Sequence, residues 1–373
     1  MLDGPNDLPS SMQMPTPLTI QPAGSSTSPR SCVFCATVCN CALTLEFVLA
    51  NMSTARSIFD TIAFIISHDH CTDGSVAILE RFQADSDFEV VIIENVDNDS
   101  PYRTHRIAHA RNAIMECMEE HFASRFLYFA VFDADDVCCR PLRLDVFERY
   151  LDDAYIDAWD ALTFDPAAHT IGYPLRYYDL WALQFGIFVH NVFGWGEHSR
   201  LLGQLMHETL IGLLDEAPPG SLLPCRSAFA GFGLYRTRKF LGVRYDASVI
   251  RTAPASELAA LQKFLEGLVG TPLTLEQIRP NENCEHIAFH VGATAKHGAK
   301  VVLANETLFG PRDPAPVGVA SEQPPSDLGR DCVTRAWTRE KVTAALGLAP
   351  SDEDPAAALA SASKLQNQWA SGI

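Results

Sequence analysis

Seven short runs in this chain are apolar along nearly their whole length, and that pattern constrains the fold more than any other feature. They are CVFCATV (32–38), TIAFIIS (61–67), FEVVIIE (88–94), FLYFAVF (126–132), ALTF (161–164), AFAGFGLY (228–235) and KVVLAN (300–305). A strand with one wet face alternates apolar and polar residues, whereas one that is apolar throughout has to be covered on both faces. Helix-like segments at 42–57, 74–85, 103–124 and 141–152 separate the first runs. Strand and helix in that rhythm predict a doubly wound α/β fold, with a mostly parallel central sheet and helices on both faces.

The organising pattern covers residues 31–312 and is read as one domain. Residues 1–30 are rich in Pro, Ser, Gly and Thr without periodicity and are expected to be a disordered tail. Residues 313–330 form a proline-rich linker, and 331–373 are Ala-rich and are expected to form a small helical appendage.

Lys and Arg number 28 against 46 Asp and Glu, a formal net charge of −18. Such a chain repels nucleic-acid phosphates and anionic lipid surfaces, so neither is expected as a partner. A phosphate-bearing substrate would need a local cation, either clustered Arg or a divalent metal. No run approaches the ~20 apolar residues of a membrane-spanning helix. The first twenty residues lack the basic start and apolar core of a secretory signal. The expectation is a cytoplasmic, soluble protein without an integral membrane segment, whose 11 cysteines are thiols.

FLYFAVF runs directly into Asp133-Ala134-Asp135-Asp136. Strand side chains alternate, so Asp133 and Asp135 project to one side at the carboxyl end, where open α/β sheets bind ligands. Neighbouring carboxylates repel unless they share a proton or a cation, and hard oxygen donors suit Mg²⁺ or Mn²⁺. The plain alternative is that Asp is common in the turn after a strand.

Just upstream, Arg103, His105, Arg106, His109, Arg111 and Asn112 form a local basic stretch. At helical spacing Arg103, Arg106 and His109 share one face, with Ile107, Ala110 and Ile114 as the apolar stripe. Arg suits bidentate phosphate contacts, although a solvated face paired with nearby acids is the commoner fate. In the loop after TIAFIIS, Asp69 stands where a carboxylate can accept from a ribose or base, and Thr72 or Asp73 can cap the helix that follows. Cys32, Cys35, Cys39 and Cys41 have a spacing that can hold a metal, but they begin on a strand-like run where Cys serves as a small hydrophobe.

The ordered set x-Asp-x-x-Thr-Asp-Gly-Ser, Arg-x-x-x-Ala-Arg-Asn and Asp-x-Asp-Asp resembles nucleotide-sugar glycosyltransferases of the GT-A fold. More narrowly, it is similar to the cryptococcal capsule-associated mannosyltransferase-like group and to glycosyltransferases of large algal viruses. Further matches are Tyr177-Tyr178-Asp179-Leu180-Trp181-Ala182-Leu183, the segment 227–236 and Cys284-Glu285-His286. The resemblance implies a GT-A-like fold and a transferase that moves a sugar from a nucleoside-diphosphate sugar donor to a glycan acceptor with Mn²⁺ or Mg²⁺. It implies that Asp133 and Asp135 hold metal and donor, that Asp69 and Asp73 hold the nucleoside, and that Arg106 and Arg111 form the basic helix. Gly231 and Gly233 match the glycine loop near donor sugar and acceptor. Glu285 matches the acidic position that often supplies the base, and His290, or else His286, would complete the metal site. Ser67-His68-Asp69-His70 stands where the family reads closer to Glu-Asn-Asp-Ser, and His286 stands where a second acid is usual.

In an inverting transfer a carboxylate takes the acceptor proton, a part that Glu285 or Asp179 can fill. Tyr177, Tyr178 and Trp181 can stack on sugar rings, or simply pack in the core. Competing readings are a sugar-phosphate nucleotidyltransferase, which would call for a glycine-rich, lysine-containing phosphate loop near the N-terminus, and an inactive nucleotide- or glycan-binding module.

Overall fold

The computed structural model describes residues 13–20, 30–96, 98–134, 136–155, 157–165, 177, 179–248 and 253–310. Within them the apolar runs become strands β1 (Ser31–Val38), β2 (Thr61–His68), β3 (Glu89–Glu94), β4 (Tyr128–Asp133), β5 (Ala161–Phe164), β7 (Phe232–Arg236) and β8 (Val301–Ala304), with a further strand β6 (Leu222–Cys225). One eight-stranded sheet has the order β3-β2-β1-β4-β7-β5-β8-β6. β7 runs antiparallel to β4 and β5, and β6 runs antiparallel to β8. The remaining pairs are parallel, so the expected mixed α/β sheet is mostly parallel.

Two-sided apolar strands distribute their side chains to two cores. From β1, Cys32, Phe34, Ala36 and Val38 join one core with α1 (Ala42–Ser53) and α4 (Leu144–Tyr150); α2 (Ser75–Asp85) adds Leu79. Val33 and Cys35 face the opposite core, with α3 (Arg103–Cys117) and α7 (Glu285–His297). Cys32 and Cys35 thus lie on opposite faces of one strand, which rules out their sharing a metal ion, and every described cysteine is a free thiol. A third core joins residues 177–195 to α5 (Ser199–Glu216) and α6 (Ala255–Val269).

The segment 13–20, within the stretch expected to be a tail, reaches the sheet's edge. There Leu18 and Leu222 exchange backbone hydrogen bonds of 2.8 and 2.9 Å. The linker 313–330 and the appendage 331–373 lie outside the described residues.

Register places the site. Thr37 pairs with Asp133, Val38 with His68, and His68 with Glu94, so β1 to β4 end along one edge. The segments that carry Asp69, Arg103 and Asp133 follow β2, β3 and β4 at that edge, and residues 227–231 enter the antiparallel β7 from it.

Candidate active site

Asp133 is the last residue of β4, its backbone N–H donating to the Gly231 carbonyl at 2.9 Å. Its side chain is partly exposed and its Oδ1 accepts from Arg111 Nη2 at 3.2 Å. Burial pushes the Asp133 carboxyl above its ordinary range, against the pull of Arg111 and Arg103. Arg103, expected only on the basic face, therefore reaches Asp133 electrostatically.

Arg111 does not belong to the solvent-facing basic stripe. Thr104, Ala108, Arg111 and Met115 form the buried face of α3, and Arg111 is only 4% exposed. Its Nη1 donates to Glu285 Oε1 and to His286 Nε2. The guanidinium lies over the Phe229 ring at 5.1 Å and the Tyr245 ring at 5.6 Å. Burial opposes its charge, but Glu285 and Asp133 more than offset that, and Arg111 remains a cation. Phe229 lies within the matched segment 227–236 without being singled out there, and Tyr245 carries no pattern in the sequence that would mark it for this role.

Glu285 opens α7, a 13-residue helix, where the partial positive charge of the N-terminus favours a carboxylate. It is 5% exposed. His286 stacks on Phe229 with ring centroids 3.7 Å apart, and burial followed by the Arg111 charge holds its pKa well below the ordinary value. Because Arg only donates, His286 Nε2 is an acceptor and the proton sits on Nδ1, which meets no described partner.

His290, the first choice for a metal ligand, has both ring nitrogens engaged. Nδ1 lies 3.0 Å from Ser227 Oγ, and Nε2 lies 3.1 Å from Tyr235 Oη. Burial, then Arg111, lowers its pKa to about 3. It is a satisfied core histidine behind the site.

Asp179 anchors the glycine loop. Its Oδ1 accepts from Ala182 N–H and its Oδ2 from Ala230 N–H, each at 3.2 Å. Ala230 and Gly231 both adopt the left-handed region, at φ 70° and 86°, so the loop turns sharply between Asp179 and Asp133. Burial raises the Asp179 pKa to about 6; the two backbone donors oppose this, while Asp133 and Glu285 add to it. Gly233 has a packing reason: a Cβ there would lie 2.6 Å from Tyr235 Oη.

Over β2, Asp69 Oδ2 accepts from Asn98 Nδ2 at 3.1 Å, with Arg106 Nε 3.9 Å away. Arg106 also donates to the Ser100 carbonyl at 2.8 Å. Asp73 ties two helix starts together, accepting from Ala42 N–H and Ser75 N–H, each at 2.9 Å. A hydrogen bond with the Ser75 side chain, followed by the one from Ala42 N–H, lowers its pKa. Asp73 thus bonds the first N–H of both helices, while the N-cap position of α2 is Gly74. Tyr177 is fully buried and unable to stack on a sugar, while Trp181 is half-buried beneath Arg279 at 4.8 Å. Asp135 and Tyr178 lie outside the described residues.

Among the described residues no three His, Cys, Asp or Glu side chains converge on a common metal position. Small divalent cations are, however, often held by one or two carboxylates plus phosphate oxygens and waters. Asp133, Asp179 and Glu285 lie within electrostatic reach of one another, although burial is the larger cause of the raised Asp179 value. That donor chemistry fits Mg²⁺ or Mn²⁺ at Asp133.

No protein-family model matches the chain, and no curated protein matches it. Solved structures similar to it include the mannosyltransferase PcManGT from Pyrobaculum calidifontis in complex with GDP-Man and Mn²⁺. That match has a TM-score of 0.36 and 11% identity, covering 71% of this chain and 59% of the other. Another is glucosyl-3-phosphoglycerate synthase from Mycobacterium tuberculosis with Mn²⁺, UDP and glucosyl-3-phosphoglycerate, at 0.33 and 11%, covering 69% and 91%. A third is 4-diphosphocytidyl-2C-methyl-D-erythritol synthase, at 0.28 and 14%, covering 69% and 93%. The narrower likeness to the cryptococcal and algal-virus enzymes rests on the sequence motifs alone. Among the described residues no helix is long and apolar enough to cross a membrane.

Proposed function

We propose that the chain is a divalent-metal-dependent glycosyltransferase that moves a sugar from a nucleoside-diphosphate sugar to a glycan hydroxyl. One observation carries the reading. A single buried guanidinium, Arg111, joins the carboxylate at the end of β4 to the carboxylate at the start of α7. A carboxylate suited to the donor's diphosphate and a further acid are thereby held together at one edge of the sheet.

Asp133, with Asp135, would hold the cation, which when bound would offset charge developing on the leaving diphosphate. Asp69, kept in place by Asn98, offers a carboxylate oxygen to the nucleoside ribose or base. Arg106 and Arg103 supply positive charge beside that edge, in a chain that is otherwise strongly acidic. The Ala230–Gly231 turn brings backbone close to Asp133. The segment from β1 to α1, Cys39-Asn40-Cys41, has neither the glycines nor the lysine that a nucleotidyltransferase phosphate loop would use.

The test is a panel of UDP-, GDP- and other nucleotide sugars screened for Mn²⁺-dependent release of nucleoside diphosphate, with Asp133→Ala as control. Release that depends on metal and on Asp133 supports the reading. Pyrophosphate formation from a nucleoside triphosphate and a sugar phosphate would replace it with the nucleotidyltransferase, and nucleotide binding without turnover would replace it with the binding module.

A further inference from the structure

Two carboxylates stand where an acceptor hydroxyl could lose its proton, and their surroundings differ. Glu285 is 5% exposed and its Oε1 is taken by Arg111, itself almost wholly enclosed between Phe229 and Tyr245. Asp179 is half-buried, and among the described residues its oxygens accept two long backbone hydrogen bonds of 3.2 Å, from Ala182 and Ala230. Ala230 is followed by Gly231, whose carbonyl accepts from Asp133 N–H. The backbone of two residues, Ala230 and Gly231, therefore connects the Asp179 carboxylate to the residue proposed to hold the donor.

We propose that Asp179, not Glu285, is the catalytic base, and that Glu285 is a positioning residue acting through Arg111. The assignment rests on the glycosyltransferase reading. In the step, the acceptor oxygen forms a bond to the anomeric carbon as the bond from that carbon to the diphosphate oxygen breaks. The acceptor proton passes to an Asp179 oxygen, and the electron pair of the broken bond leaves on the diphosphate. The product is inverted at the anomeric carbon. Among the described residues, the charged and titratable groups that act on Asp179 are Tyr177 on its own segment, Asp133 on β4, and Cys284 and Glu285 at α7. Arg111 is committed to Glu285 and Asp133. Burial, with smaller contributions from Asp133 and Glu285, raises the Asp179 carboxyl against the pull of its two backbone donors, so turnover is lost in acid as Asp179 takes up its proton.

The experiment uses the full chain, the panel donor it turns over best, and calorimetry with UDP or GDP plus Mn²⁺. Asp179→Asn is expected to lower kcat by roughly 10²–10⁴-fold, with nucleotide Kd changed less than about threefold and the acidic limb of the kcat profile gone. Glu285→Gln is expected to lower kcat while keeping that limb. Should Asp179→Asn not fold, Asp179→Glu, which keeps both acceptor oxygens, shifts the limb and lowers kcat. Asp179→Asn with unchanged turnover, a limb lost only in Glu285→Gln, or a product of retained configuration overturns the assignment alone. A wild-type chain that neither binds nucleotide with Mn²⁺ nor releases it from any donor overturns the glycosyltransferase reading and the assignment together.

Discussion

Arg111 Nη2 stands 3.2 Å from Asp133 Oδ1, so the end of the central strand β4 is fixed by a side chain from the helix packed behind it. The same guanidinium bonds Glu285 and His286, making Arg111 the joint between β4, α3 and α7. Replacing it with Met leaves the Glu285 carboxylate buried with no counter-charge. Breaking a buried pair in this way costs about 3–5 kcal/mol. Arg111→Met is expected to lose that much in urea unfolding. Arg111→Lys, unable to serve three partners with a planar fork, is expected to fall between Met and wild type. Equal stability of Met variant and wild type would contradict the joint.

Asp133→Asn separates structure from chemistry at the same contact. The amide oxygen still accepts from Arg111, and the change removes a carboxylate that burial already pushes toward its neutral form. Stability is expected to change by less than about 1 kcal/mol. Mn²⁺-dependent binding of UDP or GDP, followed by calorimetry, is expected to weaken at least tenfold, and turnover to fall about a hundredfold or more. Undiminished metal-dependent binding would remove Asp133 from the site.

The sheet was legible in the sequence because its strands are apolar on both faces, and seven of the eight were placed from that signal. β6 was missed: four residues with Pro224 among them, at the sheet edge, carry almost no pattern. α5 was readable in principle, since Leu202, Leu205, Met206, Leu210, Leu213 and Leu214 repeat at helical spacing. α7 was hidden because its buried face includes Glu285, His286 and His290, residues that look like surface until their partners are known. Arg111 was misread for the same reason: its partner Glu285 lies 174 residues away, and no local period reports such a contact. The glycine loop likewise looked like a donor contact throughout, whereas only Gly231 lies against Asp133.

Gly233 therefore makes a prediction opposite to its family-based expectation. An added Cβ would meet Tyr235 Oη at 2.6 Å and ring carbons at 2.8 Å. The ring has little room to move, stacked on Phe129 at 4.9 Å and bonded to His290. Gly233→Ala is expected to destabilise the fold by roughly 1–3 kcal/mol, as overpacking does. Nucleotide binding with Mn²⁺ is expected to stay within about threefold at temperatures where the variant is folded. A stable variant that fails to bind nucleotide would return Gly233 to the donor site.

His290 gives the fold a defined response to acid. Its ordinary value of 6.5 falls to about 3 in the folded state, through burial and then the Arg111 charge. Between those values the unfolded chain binds a proton at this position and the folded chain does not, so stability rises with pH across that window. The contribution is complete above 6.5 and is lost as the pH falls toward 3. His286, also depressed, acts in the same direction. Asp179 opposes them between its ordinary 3.8 and about 6, where the folded chain holds the extra proton. Comparing wild type with His290→Gln isolates the histidine. The variant is expected to be less stable at pH 7, where the Ser227 and Tyr235 hydroxyls lose a well-placed partner. As pH falls from 6.5 to 4 the gap narrows, by up to about 1.4 kcal/mol per unit, because only the wild type must keep this site unprotonated. Urea unfolding at several pH values reads the gap directly, and parallel curves for the two proteins would show that His290 takes up its proton inside the folded chain.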